Sequence, residues 1–344
     1  MESTSLPAPD RIPPMVALLL SMALCAQDFE YRQGVGVVDL STNEIRSPEE
    51  FLKWALAQRD AGKLVVAVHA LNLLATRVPE AAVREAAHFE RAATYYKAGG
   101  YYEAYHDFEG FILKFPQSER ATTAKRMEMT AALDLARVGK STWLGLGTSS
   151  ATGVDYLNDA LRRYPREDFA PDFCQKLGMF FYEREDYERA GEAFTRVLEQ
   201  YGDAPEAVLA LYMIGRTSER RHEKMSAFDT VDYDVRPLKD ARRQYERFLE
   251  ETDRMRKLPD PARKWVDGIL PTVKERLASV YERMLRKQLL TAEYYDWKGL
   301  PWSAEPFYTA ILRDEATFRK VLPSFPVTKS AQRARVRLTE IIKQ

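Results

Sequence analysis

The run Val138-Gly139-Lys140-Ser141-Thr142 has the lysine and hydroxyls with which a phosphate-binding loop ends. Such a loop needs an earlier glycine so that backbone amides can close around a phosphate between a strand and a helix. Asp134 stands at that place, and the residues before it have helical spacing, so no nucleotide cradle is expected. Asp229, Asp232 and Asp234 gather carboxylates without the spacing, central glycine or closing glutamate of a calcium loop. Turn formation and helix capping account for them. The histidines, His69, His88, His106 and His222, include no pair at the spacing that puts two metal ligands on one helix face. Cys174 falls at a packing position of a helix, where a catalytic thiol would need a nearby basic partner, and packing is the expected role. No serine lies in a G-x-S-x-G elbow. The expectation is a protein with no catalytic residue, no metal and no cofactor.

The function therefore has to come from elements that present a surface. Of the 344 residues, 45% are hydrophobic and 11% aromatic, enough for a continuous core in one elongated domain or two compact ones. Lysine and arginine total 51, as do aspartate and glutamate, so no basic excess is present to neutralise nucleic acid or an anionic lipid surface. Two cysteines, Cys25 and Cys174, exclude a disulfide framework and a four-thiolate metal cage.

Four segments share one pattern: small residue, aromatic, glycine, aromatic, alanine, aromatic, then proline. The anchoring alanines are Ala67, Ala104, Ala190 and Ala304, and the first two lie 37 residues apart. A tetratricopeptide (TPR) unit repeats at about 34 residues. The second segment carries Ala92, Tyr95, Gly99, Tyr101, Ala104, Phe108, Phe111 and Pro116 at that signature's positions. The first reads Trp54, Ala55, Gly62, Ala67, Leu71, Leu74 and Pro79; the third Leu177, Gly178, Phe181, Tyr187, Ala190, Phe194 and Val197, with Gly202 in place of proline. The fourth reads Ala292, Tyr295, Gly299, Ala304, Tyr308 and Ile311. Small residues let paired helices approach, large ones fill the space between pairs, glycine permits the turn and proline ends the second helix. The fold expected is all-α, a TPR solenoid of about five to six helix pairs over residues 49–344, interrupted by loops near 139–153 and 221–237. Residues 27–48 read as an extended arm.

At the N-terminus, Met15–Ala26 is an apolar run too short to span a bilayer and of the length of a signal-peptide core, so residues 1–26 read as a signal peptide. Cys25 is the lipidation candidate, as in a lipoprotein signal, although Leu24 before it is larger than a lipobox prefers; simple cleavage is the alternative. Both imply export, to the soluble periplasm or to the periplasmic side of the outer membrane. The positions of a TPR first helix that face the groove give Phe89, Ala93, Tyr96 and Lys97 in one unit and Gln175, Met179, Tyr182 and Glu183 in another as partner-binding candidates.

Tyr95–Ala104 with Phe108, Phe111 and Pro116, and Tyr182–Ala190 with Phe194, are joined by a long insertion ending Asp232-Tyr233-Asp234-Val235-Arg236-Pro237-Leu238 and by a last unit with Tyr294, Tyr295, Gly299, Trp302 and Ala304. In this layout the chain resembles the BamD-like outer-membrane lipoprotein family, periplasmic TPR scaffolds of the β-barrel assembly machinery. The resemblance implies a non-enzymatic scaffold for protein–protein interaction, holding other subunits of an envelope assembly complex or unfolded barrel precursors, with no nucleic acid and with membrane contact only through a possible N-terminal lipid anchor. Pro306 inside a predicted helix and the poor lipobox depart from the family's pattern. A TPR adaptor for envelope maintenance or division, of the Tol-Pal coordinator type, is the alternative.

Overall fold

The structure is a computed structural model that describes residues 29–139, 150–226, 234–257 and 260–343. The signal-peptide segment with Cys25, the residues Lys140, Ser141 and Thr142, and Asp229 and Asp232 lie outside the described residues. The fold is all-α apart from one small sheet at its start. It comprises two compact units that meet in sequence at Ala170 and Pro171. The expected single span over 49–344 thus divides in two.

The first unit opens with strands β1 (Phe29–Arg32), β2 (Gly36–Asp39) and β3 (Ile45–Arg46), an antiparallel meander with Phe29 opposite Asp39 and Val37 opposite Arg46. This corrects the extended arm expected over 27–48. Val37 and Val38 are buried, and Val37 packs in one cluster with Phe51, Ala55 and Leu71. Two turns make the meander. Gly36 has φ +119°, and a Cβ there would stand 2.5 Å from the Arg46 carbonyl oxygen. At the second turn, Asp39 Oδ1 accepts from the Ser41 amide and hydroxyl and from the Thr42 amide, while Asn43 takes φ 57°. Few residues separate short strands here, so their alternation is too brief to register as a periodic signal.

Among the described residues of this unit, six helices follow: α1 (Pro48–Asp60), α2 (Leu64–Arg77), α3 (Ala81–Lys97), α4 (Tyr101–Lys114), α5 (Ala121–Val138) and α6 (Ser150–Arg163). The second unit holds α7 (Ala170–Glu183), α8 (Tyr187–Gln200), α9 (Glu206–Ser226), α10 (Arg236–Met255), α11 (Asp260–Trp297), α12 (Pro301–Val321) and α13 (Lys329–Ile342). Caps set several of the starts. Ser47 and Glu50 form a reciprocal capping box ahead of α1, with Pro48 in the first turn; Asp186 caps α8 and Thr328 caps α13. Successive helices pack on one another from α1 to α6 and from α8 to α13, and α7 meets α8 where Gly178 lies against Phe194 and Tyr182 against Tyr187. The first helices of neighbouring pairs also touch: α1 with α3, α3 with α5, α9 with α11. α13 closes the second unit against α11 and α12.

The repeat is a repeat of turn geometry. After α1, α3, α7 and α11 the residue at the turn has positive φ: Gly62 at 79°, Gly99 at 77°, Glu185 at 59° and Gly299 at 72°. One residue on, Lys63, Gly100, Asp186 and Leu300 donate their amides back to the carbonyls of Gln58, Tyr95, Phe181 and Tyr295 at 2.9–3.0 Å. These are four Schellman closures. Each is followed at once by the second helix, in which the amides of Ala67, Ala104, Ala190 and Ala304 bond back to those same turn residues. All four alanines are fully buried. In the third pair, a Cβ on Gly178 would come 2.7 Å from the Phe194 ring, which explains the small residue one turn of helix before Phe181.

The expected loops are shorter than their sequence suggests. α6 begins at Ser150, inside the 139–153 stretch, because Gly153 lets α6 lie on α5: a Cβ there would stand 2.2 Å from the Ala136 amide nitrogen. On the other side, α9 runs to Ser226 and α10 resumes at Arg236, with Asp234 accepting from the Arg236 amide and guanidinium. α12 passes through Pro306 as one helix. The amide hydrogen that Pro306 lacks would have bonded the carbonyl of Trp302, an exposed residue in the first turn of α12, so little is lost at this end of the helix.

Candidate protein-binding surfaces

In the first unit the groove candidates fall on the face shared by α1, α3 and α5. Glu90 of α3 stands between two guanidiniums, 2.5 Å from Arg59 Nη1 of α1 and 3.2 Å from Arg120 Nη1 just ahead of α5. Arg120 in turn lies 5.1 Å above the Phe89 ring, and that ring meets Phe108 and Phe111 of α4 edge-on. Tyr96 donates its hydroxyl to Asp134 Oδ2 of α5 at 2.6 Å. Burial and that carboxylate both push the phenol well above its ordinary range. Ala93 is half-buried, and Lys97 is exposed, 3.8 Å from Asp60 and 3.4 Å from the Arg59 carbonyl. Phe89 and Tyr96 are thus joints between helices, and Lys97 is the member of this set most open to a partner.

In the second unit Gln175 and Met179 are half-buried and Glu183 is exposed. Tyr182 meets Tyr187 edge-on and accepts a long hydrogen bond, 3.4 Å, from Arg216 of α9. Arg216 leads to a charged cluster that sequence reasoning missed. Glu219 is only 2% exposed; its carboxylate accepts from Arg216 (2.9 Å), Tyr245 (2.7 Å), Arg276 (3.3 Å) and Arg283 (2.5 Å). Burial, followed by Glu219 itself, drives the Tyr245 phenol far above its ordinary range. A cavity of about 350 Å³ opens beside this cluster, between α9 and α11, with Glu223, Thr272 and Ser279 on its walls. The signal available in the sequence was an arginine recurring at helical spacing, Arg276 and Arg283, on a helix without a TPR signature at that point.

A larger cavity, about 610 Å³, lies between α11 and α13, lined by Trp297 of α11 and by Gln332, Arg333 and Val336 of α13. Asp296 organises its floor, accepting from Tyr308 at 2.7 Å and Arg337 at 2.6 Å. Burial opposes ionisation of Asp296, but the hydrogen bonds from Arg337 and Tyr308 outweigh it and hold the carboxyl below its ordinary range. Trp297 is 75% and Val336 62% exposed, so this is an apolar opening edged by paired charges.

The second helices of the first unit carry another polar aromatic cluster. Tyr105 stacks on Tyr156 at 4.3 Å, His106 Nε2 is 3.1 Å from the Tyr156 hydroxyl, and Arg163 reaches Glu109 and the fully buried Glu128. Burial pushes Glu128 up to about 7 even though Arg163 pulls the other way. Cys174 is fully buried, and burial raises its thiol although Arg196 beside it pulls the other way, so it is held as a thiol even with a basic partner. The polar clusters tie one helix to the next, and the surfaces they leave are built for contact.

Comparison with known proteins agrees with the local geometry. Residues 175–204, which cover α7 and α8, match the family model described as a tetratricopeptide repeat. No curated protein matches the chain. Among solved structures, a tetratricopeptide repeat protein from Parabacteroides merdae is 13% identical, covering 86% of this chain and 98% of its own, at a TM-score of 0.34. The C-terminal part of a TPR repeat-containing protein from Cytophaga hutchinsonii is 14% identical, covering 80% and 99%, at a TM-score of 0.31. Residues 175–204 thus form a tetratricopeptide repeat, and the turn that closes it also closes three further helix pairs of this all-α chain.

Proposed function

We propose that this protein is a non-enzymatic scaffold of the cell envelope, exported by its N-terminal segment and acting in outer-membrane β-barrel assembly in the manner of the BamD-like lipoproteins. The observation that carries the reading is the run of helix pairs closed by one turn geometry, in which charged groups such as the half-buried Glu90 and the buried Glu219 join neighbouring helices. The apolar run Met15–Ala26 with Cys25 supports export, and the insertion ahead of α10 together with the aromatic last pair supports the family likeness. The partner is a folded subunit of the assembly complex or an unfolded barrel precursor.

Affinity purification of the tagged chain from detergent-solubilised envelopes of its own host, after crosslinking, tests this. Recovery of an outer-membrane barrel with periplasmic domains is the expected result. Recovery of division or peptidoglycan-linked proteins instead would move the assignment to an envelope adaptor, and recovery of cytosolic proteins alone would end the export reading.

A further inference from the structure

The last of the four equivalent turns carries side chains the other three do not. Aligned on the positive-φ residue, the residue two places before is Asp60, Lys97 and Glu183 in the first three turns and Trp297 in the fourth. One place after, Lys63, Gly100 and Asp186 give way to Leu300; three places after, Val65, Tyr102 and Glu188 give way to Trp302. The backbone closure is the same in all four, so the turn itself does not require apolar residues there. Nor are they used for packing. Trp297, Trp302, Tyr294 and Leu300 are 75%, 69%, 53% and 51% exposed. Exposed large apolar groups gathered at one spot are the unusual case for a protein surface, and they mark a contact.

The polar groups around them select the kind of contact. Lys298, exposed at the tip, holds its ammonium 4.8 Å from the Trp297 ring centre and 5.7 Å from that of Tyr294. The two carboxylates of the preceding helical turn are occupied within the unit: Glu293 by Arg333 at 3.0 Å and Asp296 by Arg337 at 2.6 Å. The tip therefore presents indoles, a phenol, a leucine and a cation, while Glu293 and Asp296 are turned to arginines of α13 and Glu305 lies one helical turn beyond Trp302. The residues flank a helix–helix turn on both sides, and Trp297 alone among the four also lines the cavity beside α13. Exposed indoles, a phenol and a lysine gathered at one turn are the side-chain types that the interface of a bilayer favours.

We propose that the α11–α12 turn inserts into the interfacial layer of an anionic phospholipid bilayer. Trp297, Trp302 and Tyr294 sit at headgroup level, where an amphipathic ring satisfies both its apolar face and its N–H or O–H. Leu300 reaches the acyl boundary, and Lys298 meets the lipid phosphate. This contact is separate from the barrel-assembly reading and stands or falls without it.

The test uses the full chain and vesicles of phosphatidylcholine with or without phosphatidylglycerol, their acyl chains brominated to quench nearby tryptophan. Because Met15–Ala26 can bring the chain to vesicles by itself, the deciding readout is quenching at the turn. Expected is quenching by anionic vesicles in the native chain and its loss in the double variant W297S/W302S, whose thermal melt is unchanged and which keeps Trp54, Trp143 and Trp265 as background. Partitioning of that variant falls roughly tenfold. Lys298→Glu weakens partitioning to anionic vesicles by about fivefold and leaves that to neutral vesicles unchanged. A native chain that sediments with vesicles or remains free without being quenched overturns the proposal and leaves the turn as a protein contact; equal quenching of W297S/W302S overturns it as well.

Discussion

Glu128 of the first unit and Glu219 of the second are both buried carboxylates on the first helix of a pair, and they are held in opposite ways. Glu219 has hydrogen bonds from three arginines and a tyrosine on α9, α10 and α11. Glu128 has the Arg163 guanidinium, which is itself shared with Glu109. The difference shows what burial does to a carboxylate. Glu219, with donors from three helices, is a joint between them; at Glu128, with one shared guanidinium and the Tyr164 hydroxyl, desolvation prevails and the group is pushed up to about 7.

The largest effect is expected from breaking the stronger joint. Glu219→Ala leaves Arg216, Arg276 and Arg283 facing one another without their anion, and urea unfolding should show a loss of roughly 3–5 kcal/mol. A loss under about 1 kcal/mol would mean the cluster is solvated and holds nothing together.

Next comes the pH dependence of the first unit, which Glu128 and His88 set between them. Glu128 is raised from 4.5 to about 7, so within that window the folded chain binds more protons there than the unfolded chain, and stability falls as pH rises. The shift corresponds to about 3 kcal/mol. His88 is lowered from 6.5 to about 4, by burial first and then by Lys114 and Arg91, so the folded chain binds fewer protons and stability falls as pH drops. The two slopes oppose each other where the windows overlap. Glu128→Gln should therefore remove the decline towards pH 7 and uncover a loss on the acid side, read as unfolding midpoints across a pH series. An unchanged pH profile would mean that Glu128 is ionised throughout, as a well-paired carboxylate would be.

The smallest effect sharpens the account of the Glu219 joint. Tyr245→Phe removes one donor and leaves the three arginines, and should cost about 1–2 kcal/mol in the same unfolding experiment. If it matches Glu219→Ala, the tyrosine rather than the arginines carries the joint.

Much of the fold is legible in the chain because a TPR pair is specified by local sterics. The positions of Ala67, Ala104, Ala190 and Ala304 follow from the need for a small residue where two helices touch, and three of the four turns mark themselves with the glycine that positive φ favours. Glu185 takes the same conformation without being glycine, and the third pair was still recognisable from Gly178, Tyr187 and Phe194. The meander at 29–46 was not legible, since its strands are too short for alternation to show and Val37 is buried only by what α1 and α2 bring to it. The start of α6 was hidden for a similar reason: Gly153 reads as a loop residue until the α5 backbone is seen to pass against it.

The groove candidates show where reading by repeat position stops. Sequence alone placed Phe89, Tyr96 and Tyr182 on the face of first helices, because helical periodicity is a property of one segment and survives in isolation. Whether an aromatic on that face is open to a partner depends on what the neighbouring helix puts opposite it. Asp134 takes the Tyr96 hydroxyl, Arg120 covers Phe89 and Arg216 reaches Tyr182, whereas Trp297, met by its own neighbours Lys298 and Tyr294, stays 75% exposed and Trp302 69%. The sequence by itself determined the helix pairs, their turns and the apolar seams between them, all of which act over a few residues. Only the tertiary structure decided which side chains were left for binding and which carboxylates stay charged, because burial and the choice of ionic partner are set across helices far apart in the chain.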